Sequence, residues 1–287
     1  MIERLTAFTI EVTSVFLRQA LLGFGTVLVL SVALYLVQRW TQRLLARGIG
    51  WKGVMYWTGW IGTPVHELSH VIVGKLFRIE IVEFKLFEPD PRTGVLGYVK
   101  YVVPKLELKQ LHKVIGTFLM GVAPLVGGSL VLGLVFVLCV NPEMDSRYGR
   151  QLLALAGQIA SASPADVGHG FLALLSASFE AVFAGRLDKP QTWLFVYVTL
   201  AVGAHLAPSN ADLEGGLVGF LVLCGVVLFA NAVAVLAGFN ARGAAEVIAR
   251  ATGPLAALLL GALVLNLCNL ALAGLLAGGA RAIGKRR

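Results

Sequence analysis

Long apolar runs broken by short polar stretches set the rhythm of this chain. Six windows are apolar over the length of a bilayer-spanning helix: 16–38, 53–77, 114–140, 192–207, 216–238 and 254–278. A different rhythm interrupts them. Ile79 to Phe87 and Val95 to Val103 are rich in β-branched and aromatic residues, with a slip of phase near Val82. The stretch between them, Glu88-Pro89-Asp90-Pro91-Arg92-Thr93-Gly94, is turn chemistry, so 79–103 reads as a β-hairpin. The 141–190 connection carries two short amphipathic helices, Gln151–Ala162 and Gly170–Ala184, around Ser163-Pro164-Ala165-Asp166. The pattern predicts an all-α polytopic membrane protein forming one domain over 1–287, with about six transmembrane helices and a small β-hairpin inserted after the second.

Composition agrees with this reading. Of 287 residues, 57% are hydrophobic and 14% charged, where a soluble domain has about a quarter charged. The net charge of +8 is not gathered into a lysine-rich block, which argues against nucleic acid and for basic connections facing anionic lipid headgroups. Cys139, Cys224 and Cys268 all fall in expected spans without paired spacing and read as small buried hydrophobes. The first span begins too deep to be a signal peptide, and Gln38-Arg39-Trp40 follows it instead of a cleavage site; it reads as a retained helix. Arg281, Lys285, Arg286 and Arg287 place the C-terminus in the cytoplasm, and six spans return the N-terminus to the same side. The basic 78–113 connection then lies inside as well and 141–190 lies outside, while Arg39, Arg43, Arg47 and Lys52 break the rule. The expected location is the cell (inner) membrane.

The chemistry sits in the second span. His66-Glu67-Leu68-Ser69-His70 puts two histidines four residues apart, on one helix face, with a glutamate between them. That pair can grip one Zn²⁺ while Glu67 handles a proton of water. Ionisable residues are costly at membrane depth, so such a cluster marks a functional site. With about 1.5 Å of rise per residue, His66 lies roughly 20 Å into a helix that starts near Trp51, on the cytoplasmic side of the midplane. Gly62-Thr63-Pro64 loosens the helix just before the motif.

A catalytic zinc wants three protein ligands. The third is expected from His205-Leu206-Ala207-Pro208-Ser209-Asn210-Ala211-Asp212-Leu213-Glu214, a break between two apolar runs. Asp212 and Glu214 are its only carboxylates, and Asp212 is favoured because it follows the proline break directly. Such irregular backbone at membrane depth belongs inside protein or beside a wet cavity.

With these parts the chain resembles the site-2 protease family of intramembrane metalloproteases. That family pairs His-Glu-x-x-His on one core helix with an Asn-x-x-Pro…Leu-Asp-Gly segment on a later one. It sets a Gly-Pro-rich helix between them and a β-hairpin after the first motif. His66, Glu67 and His70 match the first motif, Gly121-Val122-Ala123-Pro124-Leu125-Val126-Gly127-Gly128 the middle element, and 79–103 the hairpin. The likeness covers 53–216. It departs where His205 stands in place of asparagine and where Asp212 comes one residue early and Glu214 one late. The resemblance implies zinc held by His66, His70 and Asp212, Glu67 as the catalytic base, and a membrane-protein substrate cut in or beside its transmembrane segment. His205 is then a polar neighbour of the site, with Ser209 or Asn210 orienting its ligands.

Two roles remain open for the hairpin: a cap over the helices, or an edge strand that holds an unwound substrate. His112 and His169 read as solvated residues in connections, and Asn231, Asn266 and Asn269 as interhelical glue. Trp51, Trp57, Trp60 and Trp193 suit interfacial anchoring. Glu246 has no surrounding pattern that would make it a ligand. A transporter or a non-proteolytic metal-binding scaffold using 205–216 is the alternative; it accounts for the broken segment but leaves Glu67 between two histidines unexplained.

Overall fold

The computed structural model describes residues 2–140, 150, 154, 164–238 and 241–284. The described chain is mostly helical. A first helix, α1 (Ile2–Gln19), passes through a π-helical turn (Ala20–Gly25) into α2 (Thr26–Leu76). Two strands follow, β1 (Ile81–Lys85) and β2 (Tyr98–Tyr101), and then a 3₁₀ turn (Leu108–Gln110). The remaining helices are α3 (Leu111–Cys139), α4 (Pro164–Phe183), α5 (Pro190–Gly203), α6 (Asn210–Leu236) and α7 (Ala241–Gly284). The expected helix at Gln151–Ala162 falls almost wholly outside the described residues, whereas α4 covers most of Gly170–Ala184.

The first two expected spans lie on either side of a kink, although the first helix runs well past its expected end at Gln38. Helical backbone runs on from Thr26 to Leu76 and is broken only at Gly50, with φ 75° and ψ 161°. Glycine alone adopts that conformation without strain. Hydropathy ends the first apolar run at Gln38, but the residues after it are good helix formers with no proline among them, so the helix continues past the polar boundary. The window 192–207 corresponds to α5, whose 14 residues would span only about 21 Å.

Among the described residues, three helical stretches are long and apolar enough to cross a membrane: Leu108–Cys139, Asn210–Leu236 and Ala251–Gly279. The second of these turns large side chains outward, with Leu217, Leu221, Phe229 and Leu236 all more than half exposed. A continuous apolar surface of this kind suits lipid rather than water. The buried core lies where α2, α3, α5 and α7 meet, around Leu132, Leu206, Leu259, Leu260 and Val264.

Buried amides stitch the helices together. Gln19 and Asn231 exchange two hydrogen bonds, of 3.0 and 2.8 Å, between α1 and α6. Asn269 on α7 donates to the Thr199 carbonyl on α5 at 2.9 Å. Asn266 instead bonds back to Ala262 of its own helix. His112 and His169 are exposed as expected, but within α3 and α4 rather than in connections. Trp51, Trp57, Trp60 and Trp193 are exposed too, and Trp60 donates to the Tyr197 hydroxyl.

The hairpin forms where the β-branched pattern places it. β1 and β2 pair antiparallel, with Ile81 opposite Tyr101 and Glu83 opposite Lys100, and the register slips between those pairs at Val82. α2 is stopped by Arg78 at φ 56°, while Ile79 N–H reaches the Gly74 carbonyl and Arg78 N–H that of Lys75. This is a Schellman ending, and it turns the chain from the helix into β1. On the outer face Tyr98 and Lys100 both bond to Glu83, and the Tyr98 hydroxyl and then the Lys100 ammonium hold its carboxyl below its usual range. In the turn, Asp90 accepts from Arg92 N–H and the Thr93 hydroxyl, which tightens 90–94.

Candidate metal centre

α2 carries His66 and His70 one turn apart, with ring centroids separated by 4.8 Å. Each ring is aimed by a backbone carbonyl. His66 Nδ1 donates to the His205 carbonyl and His70 Nδ1 to the Met120 carbonyl, both at 2.7 Å. Both acceptors are available for reasons written in the sequence. Met120 precedes Pro124 by four residues in α3, and a proline has no N–H to take the carbonyl of its preceding turn. His205 lies just past the end of α5, where helical pairing stops.

A carbonyl only accepts, so both Nδ1 atoms carry the proton. The two Nε2 atoms then face Asp212 with their lone pairs: His66 Nε2 is 3.5 Å from Oδ2 and His70 Nε2 is 3.2 Å from Oδ1. Lone pairs turned toward a carboxylate repel unless something positive lies between them. Protonating both rings would put two imidazolium ions side by side in a largely buried site. A metal cation resolves the conflict, and the spacing suits one: two ligand atoms on a tetrahedral zinc lie about 3.3 Å apart. His66, His70 and Asp212 thus form a group able to hold a metal ion, with donor atoms all within 4.8 Å of one another. Carbonyls that orient the far nitrogens of metal-binding histidines are a recurrent arrangement in such sites.

Asp212 reaches this position through the start of α6. Ser209 caps that helix: its Oγ accepts from Asp212 N–H at 3.2 Å, and its own N–H donates to Asp212 Oδ2 at 2.6 Å. This capping box holds the carboxylate against a helix N-terminus, where the dipole favours negative charge. Of the two candidate acids, the fold brings Asp212 to the histidines and leaves Glu214 exposed. Ser209 is the orienting neighbour, while Asn210 is exposed. His205 Nε2 lies 3.0 Å from Thr58 Oγ1, whose proton goes to the Val54 carbonyl. The His205 ring therefore donates to Thr58, and the metal-binding group is His66, His70 and Asp212 without it.

Glu67 is buried, 8% exposed, beside the pair. It lines a cleft of about 740 Å³ together with His66, His70, Asp212 and the hairpin segment 93–99. That volume is ordinary for a ligand-binding cleft. The first half of α2 lines it too, through Tyr35, Gln38, Arg39 and Gln42.

Gln38 and Gln42 were not singled out by the sequence pattern, yet they hold the broken segment in place. Gln42 donates to the Ala204 carbonyl, and Gln38 accepts from Ala207 N–H. Two amides four residues apart in an apolar helix were the available sign. Tyr101 of β2 also lines the cleft and gave no signal in the sequence.

The α3–α6 crossing sets the distance from Asp212 to the histidines. A Cβ on Gly121 would sit 2.5 Å from the Asp212 carbonyl oxygen, and one on Gly216 would sit 3.2 Å from Phe118 Cα. Gly121→Ala is expected to push α6 outward, costing about 1–3 kcal/mol of stability and most of the metal affinity. Zinc titration and the thermal midpoint check this; an unchanged affinity would mean the crossing does not control the site.

No family model, curated protein or solved structure matches the chain.

Proposed function

We propose that the protein is a zinc-dependent intramembrane endopeptidase, similar in design to the site-2 proteases, that hydrolyses a peptide bond in or next to a substrate's transmembrane segment. In this reading it crosses the cell membrane about six times with both termini cytoplasmic. One observation carries the proposal: two histidine Nε2 atoms converge on the Asp212 carboxylate at zinc-ligand spacing, with Glu67 in the same cleft.

His66, His70 and Asp212 would hold the zinc, which when bound supplies Lewis acidity and makes water a competent nucleophile near neutral pH. Glu67 takes the proton as the water oxygen adds to the peptide carbonyl carbon. It returns that proton to the amide nitrogen as the C–N bond breaks, releasing a carboxyl and an amine. Its burial keeps it beside the histidines, in a cleft of about 740 Å³.

The transporter alternative needs unpaired backbone groups in the broken segment to coordinate an ion. Here the Ala204 and His205 carbonyls and the Ala207 N–H are taken by Gln42, His66 and Gln38. That favours a structural break over an ion path.

Zinc content separates these readings. Purified protein is expected to hold one zinc per chain, and His66→Ala to hold almost none. Wild-type protein free of zinc after metal-replete purification would rule out the peptidase reading.

A further inference from the structure

We propose that the Tyr101 hydroxyl is a catalytic hydrogen-bond donor to the oxygen of the scissile carbonyl; this rests on the peptidase reading above. Tyr101 ends β2 opposite Ile81, beside the Val82 slip, on the strand face opposite to Tyr98 and Lys100. Those two bond to Glu83, whereas Tyr101 has no such partner and lines the cleft that holds the histidines, Glu67 and Asp212, which Tyr98 also borders.

The hydroxyl's position can be located from α6. A Cβ on Gly215 would come 2.7 Å from the Tyr101 Oη. Gly215 follows Asp212 by three residues and so shares its helix face, about 4.5 Å further along the axis. The phenol therefore abuts the same face of α6 that presents the metal-binding carboxylate.

Three other hydroxyls around the cleft already donate within the hairpin or α3. Tyr98 donates to Glu83, Thr93 to Asp90 and Thr117 to the Val114 carbonyl; Ser209 Oγ accepts in the helix cap, and Tyr35 lines the cleft from α2. Thr63 Oγ1 is fully buried. Tyr101 makes no hydrogen bond among the described residues, so its proton is free for a ligand. A donor held at the site before reaction stabilises negative charge that grows on a carbonyl oxygen during attack.

The test uses the full-length, zinc-loaded protein and a phosphinic pseudopeptide, whose tetrahedral phosphinate mimics the attacked carbon. Tyr101→Phe is expected to bind it roughly 10–100-fold more weakly, with zinc content and thermal midpoint unchanged. On a cleavable membrane substrate the same variant should lose about 10²-fold in kcat with little change in KM. Gly215→Ala provides a second arm: its methyl displaces the phenol tip without disturbing the backbone, and a partial loss in the same assays is expected. Equal phosphinate affinity in wild type and Tyr101→Phe would overturn this assignment and leave the peptidase reading standing. A fall in zinc content in Tyr101→Phe would overturn it too, because the residue would then be structural. Failure of the wild type to hold zinc would overturn both.

Discussion

Glu67→Gln is expected to keep its zinc and to cleave a membrane-anchored substrate roughly 10²–10⁴-fold more slowly than wild type. The substitution is nearly isosteric and leaves the helix register of His66 and His70 unchanged, so the metal donors stay in place. What it removes is the acceptor for the water proton, and no other carboxylate among the described residues stands beside the histidines except Asp212. Packing supports a clean result: a Cβ on Gly97 would lie 2.9 Å from Glu67 Cγ, so the hairpin backbone confines the side chain and a glutamine would occupy the same space. Zinc analysis and a single-turnover cleavage assay check the prediction. Undiminished cleavage would remove Glu67 from the mechanism.

The second large effect concerns the third ligand. Asp212→Asn is expected to lower zinc affinity by more than about 10²-fold, since even loss of a residue that only orients a ligand costs 10–100-fold. Asparagine keeps an oxygen able to accept from Ser209 N–H, so the helix cap survives and the loss reports the missing charge. Glu214→Gln should leave affinity unchanged, because that side chain is exposed and apart from the cluster. Ser209→Ala is expected to fall between them, removing a cap worth about 1 kcal/mol while keeping the backbone N–H that holds the carboxylate. Calorimetric zinc titration of the three variants gives the order; a larger loss in Glu214→Gln than in Asp212→Asn would transfer the ligand role to Glu214.

Much of the local architecture was legible residue by residue. The β-branched runs around Pro89-Asp90-Pro91 formed the hairpin, and the phase slip near Val82 appeared as a register shift at the same place. The Pro208 break separated α5 from α6, and Ser209 with Asp212 formed a capping box. Helix ends were less legible. Hydropathy marks where apolar character stops, whereas a helix stops where backbone geometry fails, which is why α2 ran through Gln38 and turned only at Gly50.

The roles of Gln38, Gln42 and Tyr101 lay beyond the pattern for a different reason. Each acts on a residue far away in sequence, and a single amide or phenol in an apolar or strand context has no periodicity of its own.

The histidine pair, the glutamate between them and the two candidate acids were set by local spacing, because one helical turn brings residues four apart onto one face wherever the helix lies. Which acid meets them was decided only by tertiary structure. It took the close α3–α6 crossing at Gly121, the carbonyl freed by Pro124 and the amides of α2 gripping the broken segment to bring Asp212 within 3.5 Å of both rings. Approach between distant segments depends on how side chains pack across helices, and no local pattern carries that distance.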